Sequence, residues 1–175
     1  MLKKKICMLG SYGVGKTSLV ARFVRNLFAD KYQTTVGVKI DKKLLQVDGR
    51  DVMLMLWDLA GEEDNTPVKL AQVRDAMGYF LVVDGCRAKT LDVALSIQER
   101  VEAEIGSRPF LLLANKVDER ACWEIPDSRW ADLAGRGWTI LETSAKTGAN
   151  VEEGFLALAS SILKVQDDNA LEEDD

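Results

Sequence analysis

Eight residues carry the first chemical signal: Gly10-Ser11-Tyr12-Gly13-Val14-Gly15-Lys16-Thr17 fits G-x-x-x-x-G-K-[ST]. An apolar run, Ile6-Cys7-Met8-Leu9, precedes it, and a helical pattern starts near Thr17. Strand, glycine-rich turn and helix, in that order, is the context in which such a loop cradles phosphate. Small residues let successive backbone N–H groups, here those of Gly13, Val14, Gly15, Lys16, Thr17 and Ser18, converge on phosphate oxygens. The start of the following helix adds partial positive charge at the same place. Lys16 supplies a mobile full charge for terminal phosphates, and Thr17 a hydroxyl ligand for Mg²⁺. The loop implies a nucleotide phosphate and leaves the base open.

Three more clusters leave apolar runs. Asp58-Leu59-Ala60-Gly61 follows one; its carboxylate can hold Mg²⁺ opposite the cradle, and Gly61 lets a backbone N–H approach a γ-phosphate. Asn115-Lys116-Val117-Asp118 follows another. An Asp carboxylate there accepts both N1–H and N2–H₂ of guanine, a donor pair adenine lacks, while Asn115 bonds the other side of the purine. The aliphatic stem of Lys116 can cover the ring face. Thr143-Ser144-Ala145-Lys146 leaves the last strand and can aim the Ala145 N–H at the guanine carbonyl. Each cluster alone also reads as a polar turn; a guanine nucleotide accounts for all of them together. An ATP-dependent kinase of small molecules is the competing enzyme class, and Asn115 and Asp118 argue against it.

Four clusters need a scaffold that brings four strand ends to one edge. Strands are expected at 4–9, 38–47, 51–57, 79–83, 110–114 and 138–141, and helices at 17–27, 68–77, 91–105, 128–134 and from Asn150 onward. Asp48-Gly49 predicts a hairpin turn, so the third strand runs antiparallel to the second. Its run Val52-Met53-Leu54-Met55-Leu56-Trp57 predicts burial on both faces. Thr90 is a possible helix cap, and Asn150 with Glu153 a capping-box start. The order is that of a doubly wound α/β sheet, which binds ligands at the carboxyl ends of its strands.

The chain has 175 residues and a net charge of −5. Residues 167–175 hold six carboxylates and no base, so the remainder carries a net +1. We read 1–166 as one domain and 167–175 as a solvated, disordered acidic tail. No basic stripe predicts nucleic-acid binding, and no apolar run approaches membrane-span length. Three cysteines without a pattern, Cys7, Cys86 and Cys122, fit a reducing cytoplasm. No lipid-anchor signal is expected.

The four motifs resemble the Ras superfamily of small GTPases over about residues 3–165. Trp57-Asp58-Leu59-Ala60-Gly61-Glu62-Glu63 and Thr35-Val36-Gly37-Val38 are most similar to the Rab-like branch. The resemblance implies a P-loop fold with a six-stranded, mostly parallel sheet flanked by helices on both faces and one antiparallel edge strand. It also implies a switch cycling between GTP and GDP, with Mg²⁺ as cofactor. Phe28 resembles the aromatic that packs edge-on against guanine, joining Asn115, Lys116, Asp118, Ser144, Ala145 and Lys146 as base-binding residues. Thr35 resembles the switch threonine that joins Thr17 and Asp58 on the metal. Segments 28–40 and 60–75 correspond to the two switches, through which effector and regulator proteins bind. Catalysis falls to Lys16, Gly61 and position 62.

Departures from the family are informative. Glu62 stands where the family has a Gln that orients the attacking water; ionised Glu can only accept hydrogen bonds. Either unaided hydrolysis is slow, leaving a GTP-loaded binding scaffold as the alternative function, or Glu62 points away and another group serves. Tyr12 replaces a small residue beside the γ-phosphate region and can hinder an inserted arginine, bond the phosphate or swing into solvent. Leu59 and Asn65 also differ from the family pattern. Arg22, Arg25 and Arg74 are the nearest in-chain cations, with helix-surface solvation the expected role for each.

Overall fold

The computed structural model describes residues 1–30 and 34–173. Part of the first switch segment, 31–33, and the last two tail residues lie outside the described residues.

Alternation in the first strand sets the layers. In β1 (Leu2–Gly10), Ile6 and Met8 point to one core, Cys7 and Leu9 to another, and all four are fully buried. A strand buried on both faces requires cover on both sides of its sheet. That sheet also contains β2 (Val38–Val47), β3 (Arg50–Leu59), β4 (Gly78–Asp84), β5 (Phe110–Asn115) and β6 (Ile140–Thr143), in the order β2-β3-β1-β4-β5-β6. β2 lies antiparallel to β3 at one edge, and the other pairings are parallel. The doubly wound sheet and its antiparallel edge strand are as expected. Asp48 and Gly49 turn the hairpin with φ of 51° and 77°, both left-handed.

The helices are α1 (Lys16–Arg25), α2 (Lys89–Ile105), α3 (Asp127–Gly135) and α4 (Val151–Glu173). α1 and α4 bury Leu19, Val20, Phe155 and Leu158 on the Ile6/Met8 face. α2 and α3 bury Leu91, Ile97, Val101 and Leu133 on the opposite face. Register then gathers the strand ends: Met8 pairs with Asp58, Gly10 with Val82, Asp84 with Asn115, and Asn115 with Thr143. The sequence clusters therefore leave the sheet along one edge.

Several local expectations are corrected. Residues 68–77 form a short 3-10 turn, Leu70–Gln72, and not a helix. Asp75 adopts φ 63°, a left-handed conformation that a continuous helix over 68–77 does not contain. Within the run 52–57 only Val52, Leu54 and Leu56 are fully buried; Met53, Met55 and Trp57 are half-covered, the Lys5 ammonium lying 3.7 Å from the Trp57 ring centre. The last strand runs Ile140–Thr143, two residues later than expected, and Trp138 before it packs edge-on against Phe110. Asn150 sits at φ 55° and gives its amide to the Glu142 carbonyl, leaving no capping box. Thr90 lies inside α2, its hydroxyl accepting from the Asp84 N–H.

The acidic tail is also corrected. α4 continues through Glu173, propagating from its docked part, and Asp167 pairs with Arg50 at 2.9 Å. Cys86 and Cys122, read as thiols of a reducing compartment, are joined as a disulfide, because two loops converge with their Cα atoms 5.2 Å apart. Cys7 is a free, buried cysteine as expected.

Phe155 is fully buried between Phe23, 4.1 Å away by ring centroids, and Phe80, 4.8 Å away. Truncating it removes the stack on Phe23 and the edge contact with Phe80 and leaves a cavity between α4 and the sheet. Phe155→Ala should lower unfolding free energy by about 3–5 kcal/mol in denaturant titration; a loss below about 1 kcal/mol would show that this core repacks.

Candidate nucleotide site

The strand ends and the loop after β1 enclose a cavity of about 390 Å³. Gly13, Gly15, Lys16, Thr17, Ser18, Thr35 and Gly61 line one end, and Phe28, Asn115, Lys116, Asp118, Ala145 and Lys146 the other. Val14, Asp58 and Ser144 stand behind this wall, bonded to residues that form it.

Gly15 adopts φ 104°, and a Cβ there would lie 2.4 Å from the Asn115 amide nitrogen. Its absence lets Asn115 Nδ2 donate to the Val14 carbonyl at 2.9 Å. Lys16 follows at the start of α1, nearly buried, its ammonium donating to the Ser11 carbonyl at 2.8 Å and the Gly10 carbonyl at 3.2 Å. Burial lowers its pKa to about 8, although Asp58 favours the charged form. A phosphate beside this ammonium would restore its full charge.

Three oxygens meet beside it. Thr17 Oγ1 lies 2.6 Å from both Thr35 Oγ1 and Asp58 Oδ2. Burial raises the Asp58 pKa, while the Thr17 hydroxyl and Lys16 oppose the rise. Its other oxygen, Oδ1, is buried without a hydrogen-bond partner among the described residues. A buried carboxylate oxygen left over beside two hydroxyls fits a hard divalent cation.

At the base end, Ser144 Oγ donates to Asp118 Oδ1 at 2.6 Å, and Thr143 Oγ1 to Asn115 Oδ1 at 3.1 Å. Arg22 ties the Ala145–Lys146 turn by donating to both carbonyls, at 2.8 and 2.5 Å. Arg22 is thus a loop fastener and not a solvated surface charge. Arg25 pairs with Asp41 and Arg74 with Glu104, so these cations are likewise engaged by protein groups.

Two site residues escaped the sequence reading. Asp84, almost fully buried, accepts from Lys116 Nζ at 2.8 Å, Arg87 Nε at 3.0 Å and the Cys86 N–H at 2.9 Å. Burial works to raise its pKa, yet these three donors hold it below the usual carboxylate value, and it stays ionised. Arg87 then donates to the Tyr12 carbonyl at 2.8 Å, linking the base end to the phosphate loop. The available signal was position: Asp84 ends a buried strand as Asn115 does, and Asp58 lies one residue from the end of its own.

Around position 62 the chain is pinned. Tyr12 N–H donates to the Glu62 carbonyl at 3.1 Å and Glu62 N–H to the Gly10 carbonyl at 3.0 Å. A Cβ on Gly61 would sit 2.4 Å from Tyr12 Cα, so only glycine fits between them. The Glu62 carboxylate turns away from the cavity to Arg100 of α2, 2.7 and 2.8 Å from Nη2, and accepts the Val68 N–H at 3.0 Å. The Tyr12 phenol reaches Thr34 Oγ1 at 3.2 Å.

Fold and site together define a P-loop nucleotide-binding α/β protein. The chain belongs to the Ras family, whose model matches residues 5–164, and is thereby a GTP-binding GTPase switch. It is 34% identical to the Ras-related protein Rab-8B of Homo sapiens, over 95% of this chain and 84% of that protein. It is 35% identical to the Ras-related protein Rab-32 of Mus musculus, over 98% of this chain and 80% of the relative. Against the Ras-related protein RABA2b of Arabidopsis thaliana the identity is 32%, over 95% and 79%. The Rab-like resemblance is borne out.

Lys16 makes a pH signature. An unfolded chain keeps that proton to 10.5, whereas the folded protein keeps it only to about 8. Folding therefore carries a cost of about 3 kcal/mol below pH 8, relieved as pH rises from 8 to 10.5. Nucleotide-stripped protein should gain denaturant resistance across that window relative to Lys16→Met. Parallel pH profiles for the two would refute the assignment.

Proposed function

We propose that this GTPase holds Mg²⁺-GTP with the residues its motifs single out and hydrolyses it slowly by itself. In this reading Lys16 and the N–H groups of the loop 13–18 bind phosphate, and Gly61 approaches the terminal phosphate. Thr17, Thr35 and Asp58 hold Mg²⁺, which neutralises charge on the β- and γ-phosphates when bound. Asn115, Asp118 and Ala145 read guanine, with Phe28, Lys116, Ser144 and Lys146 shaping the pocket. What supports slow hydrolysis is the residue type: position 62 offers no amide to orient a water, and its carboxylate, turned away from the cavity, is held by Arg100 and the Val68 N–H, so turnover at any faster rate falls to another group. Tyr12, which lines the same end, hinders insertion of a partner's arginine.

The same ion pair favours a second reading, a GTP-loaded scaffold with negligible turnover. Segments 28–40 and 60–75 are the surfaces for effectors and regulators. Residues 1–166 constitute the GTPase domain and 167–175 its acidic extension. Among the described residues, no helix is long and apolar enough to cross a membrane; a cytoplasmic location belongs to this reading.

Bound nucleotide is identified first, and single-turnover hydrolysis is then followed for hours. Glu62→Gln should raise the rate at least tenfold over a slow wild type, whereas Arg100→Ala, which retains the carboxylate, should not. An unchanged rate in Glu62→Gln defeats the slow-switch reading, and GTP undiminished in the wild type favours the scaffold. For the base, Asp118→Ala should weaken GDP at least 100-fold, about 3 kcal/mol, with ATP failing to compete in the wild type. Effective ATP competition would overturn the guanine assignment.

A further inference from the structure

We propose that Cys86 and Cys122 form a reversible thiol–disulfide site that governs how fast nucleotide leaves the base end of the cavity. The inference rests on the guanine reading above and adds a chemical input to it. The two cysteines lie 36 residues apart in sequence, and their Cα atoms 5.2 Å apart in space. Each belongs to a loop that carries a base-end residue. Cys86 stands two residues after Asp84 and gives its N–H to that carboxylate, which also holds Lys116 and Arg87. Cys122 ends the kinked 3-10 segment Val117–Cys122, which carries Asp118 near its start. The disulfide therefore clasps the guanine-reading segment to the loop that anchors Lys116.

Both sulfurs are reachable: Cys86 is partly exposed and Cys122 exposed. A low-molecular-weight disulfide, RSSR, is the fitting oxidant. The Cys122 thiolate attacks one sulfur of RSSR, forming a mixed disulfide and expelling RS⁻. The Cys86 thiolate then attacks the Cys122 sulfur, forming the protein disulfide and expelling the second RS⁻. The two thiol protons end on the two expelled thiolates. Two protein thiols are oxidised and one RSSR is reduced to two RSH, so the exchange balances and runs backward in excess thiol.

Reduction would not unfold the loop. Trp123 Nε1 donates to the Lys116 carbonyl at 2.9 Å, its ring fills the space a Cβ on Gly85 would need, and Glu124 N–H bonds the Gly85 carbonyl at 2.9 Å. These contacts hold the far end of the segment, while the turn between Asp118 and Cys122 regains freedom. Release of the base requires that turn to open, and a cross-link suppresses such local openings.

The test loads full-length protein with N-methylanthraniloyl-GDP in Mg²⁺, divides it, and treats one part with oxidised glutathione and one with dithiothreitol. The 2 Da mass difference of the disulfide is checked, and release is chased with excess GDP. Oxidised protein should release at least threefold more slowly than reduced protein. Cys122→Ser and Cys122→Ala should both release at the reduced rate under either treatment. Equal release from verified oxidised and reduced protein, or failure of the disulfide to form, overturns the redox control alone. Absence of GDP binding in both forms overturns the guanine reading, and the control with it.

Discussion

Asn115 is the tie on which the site depends. It ends one strand, yet its amide donates to the carbonyl of Val14 in the phosphate loop and its oxygen accepts from Thr143 at the end of the neighbouring strand. Three chain segments far apart in sequence are fixed by one buried side chain. The tie requires Gly15, because any Cβ there would occupy the space of the Asn115 nitrogen. Both amide groups are satisfied, so burial adds order without the cost of a stranded polar atom. Packing supplies the stability of the fold; this hydrogen-bonded corner makes its edge a defined cavity.

Charge is handled by the same logic. Asp84 and Asp58 are both buried at strand ends, and their environments push them in opposite directions. Asp84 has three donors around it and is held ionised, a structural anion that pins Lys116 and Arg87. Asp58 has the Thr17 hydroxyl on one oxygen and nothing described on the other, so burial raises its pKa. A satisfied anion builds the scaffold, whereas an under-satisfied one beside hydroxyls suits a cation supplied from outside. Lys16, lowered by burial, belongs with Asp58: both stand in environments that a metal–phosphate ligand improves.

What the sequence discloses follows from how local each signal is. The glycine loop, the Asp48-Gly49 hairpin and the buried runs of β1 and β5 are set by nearest neighbours, so the doubly wound sheet, its antiparallel strand and the residues expected along its edge are legible. Residues 68–77 are not, since their apolar pattern suits a helix but Asp75 turns left-handed within it. The roles of Arg22, Arg87 and Arg100 are illegible for a related reason. Each long cation finds its partner across the fold, at Ala145, Tyr12 and Glu62 respectively. Pairing of Cys86 with Cys122 likewise depends on two loops meeting, which spacing alone does not encode. The helical course of the acidic tail depends on a docked helix before it, a feature composition does not report.

Glu62 shows how a substitution acquires meaning only with its surroundings. An acid near a triphosphate is costly if it faces the phosphate, and that cost argues for slow chemistry. Here the carboxylate has an alternative: Arg100 sits on the face of α2 that the segment after Gly61 packs upon, and the Val68 N–H completes its coordination. The acid thereby fastens the segment that a switch must move, while the backbone of the same residue bridges to Gly10 and Tyr12. A partly buried ion pair and two backbone hydrogen bonds hold this one residue on both sides. Position 62 thus ties the loop after β1, through its backbone, to α2 and the segment before Leu70, through its side chain.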